Sequence, residues 1–588
     1  MDMLNVKING TEVSVPKGST ILEAARIAGV EIPTLCFMKN KNEIGACRIC
    51  VVEANEGRGF RIVTSCVYPC SEGMEVLTNS AKVQKARKTT LELMLSTHKK
   101  ECLSCVRSTN CELQKLCREY GTDEHAFEGF HPTYEIDYST AHLTRDNNKC
   151  ILCRRCVAAC NEQFVSVIGA NDRGIDTNIG TPFDLPLNNV PCISCGQCTV
   201  VCPTGALTER DDTGKVWEAL ADPTKKVIVQ TAPAIRATLG ECFGMPIGTN
   251  VEGKMAAALH RLGFYRAFDT DFAADLTIVE EANELIERVT KGTGVLPMIT
   301  SCSPGWIKFC EFYYPELTGH LSTCKSPHQM LGAVIKTYWA EKNGVDPKDI
   351  VVVSVMPCTA KKFEIGRADE SASGYPDVDI AITTRELGRM IEKAGIRFTE
   401  LPDETFDNPL AEQTGAAVIF GATGGVMEAA LRTANDWVSG ESNTEIDFTA
   451  VRGTAGLKQA SVNIKNLGEV KVAVASGAAA AKVVMDKLKA GNPDGWTFIE
   501  IMGCPGGCVN GGGQPYQEQC VRDTVDLKAV RAKALYDADK AMVKRKSHES
   551  EGIKKLYSEW YTEGFGKGRA HHDLHTSYVK RDKYNYDK

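Results

Sequence analysis

Hydrophobic and polar positions fall into two regimes along the chain. Near the N-terminus, Leu4–Ile8 and Thr11–Val15 alternate residue by residue, the period of a half-buried strand, around Asn9-Gly10, a pair suited to a type I′ hairpin turn. Ser19 is placed to cap a short helix over Thr20–Ala28. Residues 80–100, with Leu91, Leu93, Met94 and Leu95 apolar, predict a second helix that ends at His98.

Beyond residue 220 the apolar runs lengthen. Val227–Val229, Leu276–Val279, Pro297–Ile299, Ile350–Val355, Ile380–Ile382, Ala417–Phe420, Val472–Val474 and Phe498–Ile501 read as buried strands separated by helical stretches. Such a pattern predicts an α/β domain with mainly parallel sheets covered on both faces, and ligands in such sheets bind past the carboxyl ends of the strands. Cysteines follow three of these runs: Cys302 after Ile299, Cys358 after Val355, and Cys504 with Cys508 after Ile501. Around the last pair, Glu500–Gln514 breaks into glycines. Bare backbone lets main-chain N–H groups approach a bulky ligand, and soft thiolates suit iron–sulfur iron; a glycine-rich turn with buried thiols is the alternative. Gly421–Gly425 lacks the G-x-G-x-x-G spacing of a nucleotide loop and reads instead as close approach of backbone to a cluster.

Composition narrows the class. A chain of 588 residues should hold several domains, and 43% hydrophobic with 24% charged residues describes a soluble protein with ample core. The net charge of -7 offers no field for nucleic acid. The 25 cysteines cluster in C-x-x-C groups, which points to metal binding under reducing conditions rather than to a disulfide framework. The N-terminus lacks a basic and apolar leader, and the most apolar stretch, Val472–Val484, is rich in alanine and glycine and broken by Lys482. We therefore expect a cytoplasmic protein with no membrane span.

The cysteine groups fall in order. Cys36, Cys47, Cys50 and Cys66 suit a 2Fe-2S cluster or a four-cysteine zinc site, and Cys70 stands outside the set. His98, Cys102, Cys105 and Cys111 offer one imidazole and three thiols, for zinc or for a 4Fe-4S cluster; Cys117 is unassigned. Cys150-x2-Cys153-x2-Cys156-x3-Cys160 recurs as Cys192-x2-Cys195-x2-Cys198-x3-Cys202-Pro203, the two-cluster ferredoxin spacing in which each fourth cysteine serves the other cluster. Cys150, Cys153, Cys156 and Cys202 should hold one 4Fe-4S cluster, and Cys192, Cys195, Cys198 and Cys160 the other. Four clusters in series would make an electron wire.

Thr300-Ser-Cys-Ser-Pro-Gly-Trp306, Met356-Pro-Cys-Thr-Ala-Lys-Lys-Phe-Glu364 and Ile501-Met-Gly-Cys-Pro-Gly-Gly-Cys-Val-Asn-Gly-Gly-Gly513 resemble the three signature motifs of FeFe hydrogenases, and the N-terminal stretch resembles the ferredoxin-like domains of that family and of respiratory complex I. The resemblance implies an H-cluster, a 4Fe-4S cube joined through a cysteine sulfur to a diiron unit with CO, cyanide and a dithiolate bridge. Cys358, Cys504 and Cys508 would ligate the cube, with Cys508 as the bridge. Lys361 would donate to cyanide, Met356 and Pro233 would line the pocket, and Glu281, Ser322 and Glu284 would relay protons. The implied domains are 1–79 (β-grasp 2Fe-2S), 80–120 (His/Cys 4Fe-4S), 140–210 (two 4Fe-4S clusters), 220–530 (catalytic) and 531–588 (a segment resembling a separate small subunit of relatives). Three histidines near its end, His571, His572 and His575, could chelate metal but read as surface or docking residues.

One position departs from the family. In strict register Cys302 is the proton relay and Ser303 replaces a cube ligand. Three arrangements stand open: Cys302 turns to ligate the cube, Ser303 ligates through oxygen, or Cys324 reaches in. The first keeps four thiolates and is the expectation. The serine also resembles catalytic subunits of NAD(P)-linked complexes, which implies a flavin subunit and small iron–sulfur subunits as partners. A stand-alone ferredoxin-linked hydrogenase, or an assembly or sensor protein without the diiron unit, are the other readings.

Overall fold

The computed structural model describes residues 2–410, 412–444 and 446–585. The N-terminal alternation becomes the hairpin of β1 (Met3–Ile8) and β2 (Thr11–Pro16), turned by Asn9 and Gly10, both at positive φ. With β3 (Val51–Asn55), β4 (Arg61–Thr64) and β5 (Glu75–Leu77) it forms a five-stranded sheet in the order β2-β1-β5-β3-β4. The Ile21–Ile27 helix packs across it, capped by Thr20 and not by Ser19. Thr20 accepts from the Glu23 N–H while Glu23 reaches back to the Thr20 N–H, two orphan donors satisfied reciprocally. The next helix spans Ala81–Leu95 and stops short of His98.

Two short antiparallel pairs follow: β6 (Leu143–Arg145) with β9 (Leu207–Glu209), and β7 (Gly169–Asn171) with β8 (Asn178–Gly180). The rest of the α/β part is built on two four-stranded sheets. The first, β10 (Lys226–Thr231), β11 (Arg266–Asp269), β13 (Ile350–Met356) and β14 (Ile380–Thr383), is wholly parallel in the order β11-β10-β13-β14. The second runs β12-β17-β16-β15 from β12 (Met298–Ile299), β15 (Leu457–Ile464), β16 (Gly468–Ser476) and β17 (Phe498–Met502), with β15 as its antiparallel edge.

Two expected strands are helical. Leu276–Val279 lies inside the Asp271–Lys291 helix, and Ala417–Phe420 straddles the Gly415–Val418 helix and a 3-10 turn at Ile419–Gly421. Both segments are buried on every side, so the amphipathic period that marks a surface helix is erased and a short apolar run reads as a strand. Their consequence is central: the Asp271–Lys291 helix carries Glu280, Glu281 and Glu284 through the interior. The C-terminal segment adds helices at Leu527–Ala541, Glu551–Glu559 and Gly568–Leu574, and Leu574–Thr576 pairs by backbone with Thr323–Lys325. Among the described residues no helix is long and apolar enough to cross a membrane.

Candidate functional site

The cysteine loops leave the carboxyl ends of β12, β13 and β17 and meet at one apolar pocket. Its walls include Cys302, Ser303, Met356, Cys358, Lys361, Cys504, Cys508, Pro233 and Gly421. Glycines make room there. A Cβ on Gly511 would stand 2.1 Å from the Pro357 carbonyl oxygen, and one on Gly507 would stand 2.7 Å from the Thr423 nitrogen, so only bare backbone fits. The helix that opens at Gly425 is held by Glu500, whose carboxylate accepts from the N–H groups of Gly424 (2.7 Å) and Met427 (2.8 Å).

Thiol chemistry distinguishes the cysteines. Burial pushes the Cys508 thiol up to about 12, with Cys358 adding to the rise and Lys361 opposing it. Cys504 is likewise raised by burial and then by Cys358, Cys195 and Cys508, so these thiols crowd one another in a dry site. Metal coordination relieves such crowding, because it exchanges the thiol protons for cation charge. A soft, mutually facing thiol set with bare backbone around it fits an iron–sulfur group.

Cys302 faces a different neighbourhood. Burial raises its thiol too, but the charge that adds most to the rise is Glu281, then Cys508, with Lys361 opposing. Lys361 Nζ donates to the Cys302 carbonyl oxygen (3.2 Å) and to Glu364 Oε2 (2.7 Å). Glu364 also meets His328 Nε2 at 2.6 Å. Burial would raise the Glu364 carboxyl, yet Lys361 and His328 outweigh it and bring it down to about 2. Ser303 sits at the start of the Pro304–Tyr313 helix without capping it; its Oγ accepts instead from the Gly503 N–H at 2.9 Å. Cys324 lies outside the pocket wall, with the carboxylates of Glu284, Glu281 and Glu280 as its charged neighbours.

A line of polar groups leaves the pocket on the Cys302 side. Burial, then the neighbouring Glu284, raises Glu281 from 4.5 to about 8, opposed by a hydrogen bond with Ser322. The Ser322 hydroxyl donates to Glu284 Oε2 (2.9 Å), and Glu284 pairs with Arg288 at 2.6 Å.

The accessory sets assemble as well. Cys50 and Cys66 Sγ stand 3.3 Å apart, and Cys36, Cys47, Cys50 and Cys66 are all buried. Cys70 is buried in the same core as Cys50 and Cys66, its thiol raised to about 11 by burial and then Glu23. His98 Nδ1 is buried without a hydrogen-bond partner, an orphaned nitrogen that suits a metal ligand beside Cys102, Cys105 and Cys111. Cys117, which sequence spacing left unassigned, feels the charges of Cys111 and Cys102. Cys150, Cys153, Cys156 and Cys202 line one small cavity, while Cys160 and Cys192 are charge neighbours of Cys195 and Cys198.

The sites do not stand in a single series. Asn42 Nδ2 donates both to the Cys36 carbonyl (2.7 Å) and to the Cys153 carbonyl (3.0 Å), which joins the first set to the Cys150 set. Arg107 reaches the Cys202 carbonyl at 2.8 Å and Cys111 Sγ the Pro203 carbonyl at 3.5 Å, so the His98 set abuts the same one. Two outer sites therefore converge on one inner site. From there the second ferredoxin set leads inward: Gln197 donates to the Asn510 carbonyl (3.0 Å) and Thr359 Oγ1 to the Ser194 carbonyl (2.7 Å).

One expectation for the C-terminal segment is corrected. His571 and His572 are exposed, but the His575 side chain is inside, with Nδ1 2.7 Å from Thr323 Oγ1 and Nε2 3.3 Å from Glu280 Oε2. Sequence reasoning missed Glu280 and His575 as site neighbours because nearly three hundred residues separate them, and only the tertiary fold joins them.

Residues 225–512 match the family described as the iron only hydrogenase large subunit, C-terminal domain. Residues 1–81 match a 2Fe-2S iron-sulfur cluster binding domain, 87–126 the NADH-ubiquinone oxidoreductase-G iron-sulfur binding region, and 149–206 a 4Fe-4S dicluster domain. Residues 525–581 match the iron hydrogenase small subunit. The NADP-reducing hydrogenase subunit HndD of Solidesulfovibrio fructosivorans is 47% identical over 99% of this chain and 100% of its own length. Iron hydrogenase 1 of Clostridium pasteurianum is 43% identical over 98% of this chain and 100% of its own. Among solved structures, an apo FeFe-hydrogenase from Chlamydomonas reinhardtii superposes with a TM-score of 0.55 at 40% identity, covering 62% of this chain and 99% of that one.

Proposed function

The chain belongs to the FeFe hydrogenases and is an oxidoreductase of H2, and from that premise we propose which residues carry the reaction and whom it serves. The H-cluster, with its CO, cyanide and dithiolate ligands, would supply the two-electron interconversion of protons and H2. Cys358, Cys504 and Cys508 would hold its cube, and Ser303 would face the fourth corner. What supports Ser303 over a turned Cys302 is the neighbourhood: Glu281 is the leading charge on Cys302, ahead of Cys508 and Lys361, while the Ser303 oxygen already accepts from the Gly503 N–H, which would favour an alkoxide there. Lys361 would donate into the pocket, and Met356 and Pro233 would keep it dry.

The observation that carries the reading is the run of polar groups in which Glu281 is the leading charge on Cys302 and a neighbour of Ser322, whose hydroxyl is hydrogen-bonded to Glu284. Cys302 would exchange a proton with the reacting centre and Glu281 would pass it to Glu284 by way of the Ser322 hydroxyl. A carboxyl raised to about 8 holds its proton near neutrality and gives it up readily, the condition for a relay. One 2Fe-2S and three 4Fe-4S clusters would carry the electrons. The likeness to HndD, named as a subunit of an NADP-reducing hydrogenase, supports a cytoplasmic assembly in which flavin and small iron–sulfur subunits link this chain to NAD(P); ferredoxin is the other acceptor.

The test is to purify the chain from its native cell. Infrared bands of CO and cyanide, dye-linked H2 oxidation, and co-eluting flavin subunits with H2-dependent NAD(P) reduction are expected. Absent CO and cyanide bands would overturn the assigned H-cluster. A lone chain that reduces ferredoxin would overturn the NAD(P) assignment.

A further inference from the structure

Against Glu284, the outer member of the Glu281–Ser322–Glu284 line, stand two side chains that the reaction does not use, Cys324 and His575. Glu284, Cys324 and His575 bring a carboxylate oxygen, a thiol sulfur and an imidazole nitrogen within 4.8 Å of one another. Their placement is built by backbone. Lys325 N donates to Leu574 O and Thr576 N to Thr323 O, both at 2.8 Å, making Cys324 and His575 antiparallel partners. Hydrogen bonds that flank a pair rather than join it define the close kind of cross-strand pair, in which side chains lie against each other. Thr323 and Glu280 fix the imidazole, and Cys324 Sγ stands 3.9 Å from Glu284 Oε2.

The charge balance at this place is acidic. Glu280, Glu281 and Glu284 share one helix, with Glu280 and Glu281 fully buried. Among the described ion pairs their cationic partners are Arg288, on Glu284, and His575, on Glu280. The Tyr557 hydroxyl donates to the other oxygen of Glu280. With Glu281 holding its proton, Glu280 and Glu284 are the carboxylates here, and a buried carboxylate beside a thiol and an imidazole is a place that a cation stabilises.

We propose that Glu284, Cys324 and His575 bind a borderline divalent cation of the zinc class. Thiolate, imidazole and carboxylate are together the ligands zinc takes, and the sulfur excludes magnesium and calcium. Bonds of about 2.0–2.3 Å around tetrahedral zinc require the three donors to draw in by roughly an ångström, within reach of χ rotations, and require one His575 nitrogen to exchange its partner, Thr323 or Glu280, for the ion. Binding releases the Cys324 thiol proton to solvent. Because His575 belongs to the C-terminal segment, the ion would tie that segment to the Asp271–Lys291 helix. The functional consequence rests on the proton line proposed above: a Glu284 carboxylate engaged on a metal cannot accept a proton, so occupancy brakes turnover.

The test uses the intact, cluster-loaded enzyme under anaerobic conditions, stripped with a chelator, exposed to zinc chloride and desalted. Wild type should retain one zinc equivalent more than Cys324→Ala or His575→Gln of equal iron content, and its zinc K-edge should report one sulfur among nitrogen and oxygen neighbours. Dye-linked turnover should fall at least about tenfold with zinc in wild type and stay at its own zinc-free value in each variant. Equal zinc in all three proteins, or none retained by wild type, would overturn the site. Zinc held by the three residues without loss of turnover would keep the site and instead remove Glu284 from the proton line.

Discussion

Glu281 is a buried carboxyl whose proton is held by its surroundings, burial first and Glu284 second, up to about 8. Its raised value favours the folded state while the group is neutral, so this contribution is complete below 4.5 and is lost as pH climbs through about 8. Glu281→Gln keeps shape and hydrogen bonding but cannot ionise. Turnover should fall by about 10²–10⁴-fold with CO and cyanide bands intact, and the alkaline loss of thermal stability should shrink. Unchanged turnover would place the proton line elsewhere. At Cys302 and Ser303 the two roles separate in the same way. Cys302→Ala should keep the cube and lose turnover, whereas Ser303→Ala should lower cube iron or shift its potential, read by electron paramagnetic resonance. The reverse pattern would restore Cys302 as the ligand.

At the scale of elements, what could be read from sequence was whatever ligand spacing or local chemistry confines to a short window. The doubled ferredoxin run, the Asn9-Gly10 turn and the strand-to-cysteine junctions at β12, β13 and β17 are of that kind. Leu276–Val279 and Ala417–Phe420 were misread because complete burial removes the polar face that would reveal a helix, and the Glu280–His575 contact left no local sign. Helices of the C-terminal segment wrapping the catalytic domain were implied by the resemblance to a small subunit, while the contacts that dock them left no local sign. Arg432 on the Gly425–Ser439 helix meets Glu428 (2.8 Å) and, across the interface, Asp539 (2.9 Å), all three side chains fully buried. Removing Asp539 takes a buried carboxylate from both Arg432 and Arg545 and leaves Arg432, with no access to water, on Glu428. Asp539→Ala should therefore destabilise by about 3–5 kcal/mol and lower the thermal midpoint, whereas loss of an exposed pair such as Lys533–Asp537 should cost under about 1 kcal/mol.

Across the whole molecule, the accessory sites form a fork: the sites of Cys36, Cys47, Cys50 and Cys66 and of His98, Cys102, Cys105 and Cys111 both adjoin the Cys150 set. A fork implies that either outer branch can be lost without cutting the inner path. The five-stranded sheet has its own core, from Val6 to Val76, and meets the remainder mainly through polar contacts, among them Asn42, Arg155 and the ion pairs Arg26–Asp523 and Lys41–Glu162, and through small apolar clusters around Leu35 and Ile49 and around Met38. Deleting residues 1–79 should therefore leave the Cys150 and Cys192 sets and the catalytic pocket assembled. Dye-linked H2 turnover and the CO and cyanide bands should persist, since a small dye can reach the inner clusters, while exchange with the natural protein partner should be lost if that partner docks on the first domain. Adding Asn42→Ala to the full-length chain gives the milder test, because it cuts the bridge between the Cys36 and Cys153 loops and leaves both folds. It should slow partner-linked turnover without touching the dye-linked rate. Loss of dye-linked turnover in the deletion would mean that the first domain holds the inner clusters in place and is no removable branch.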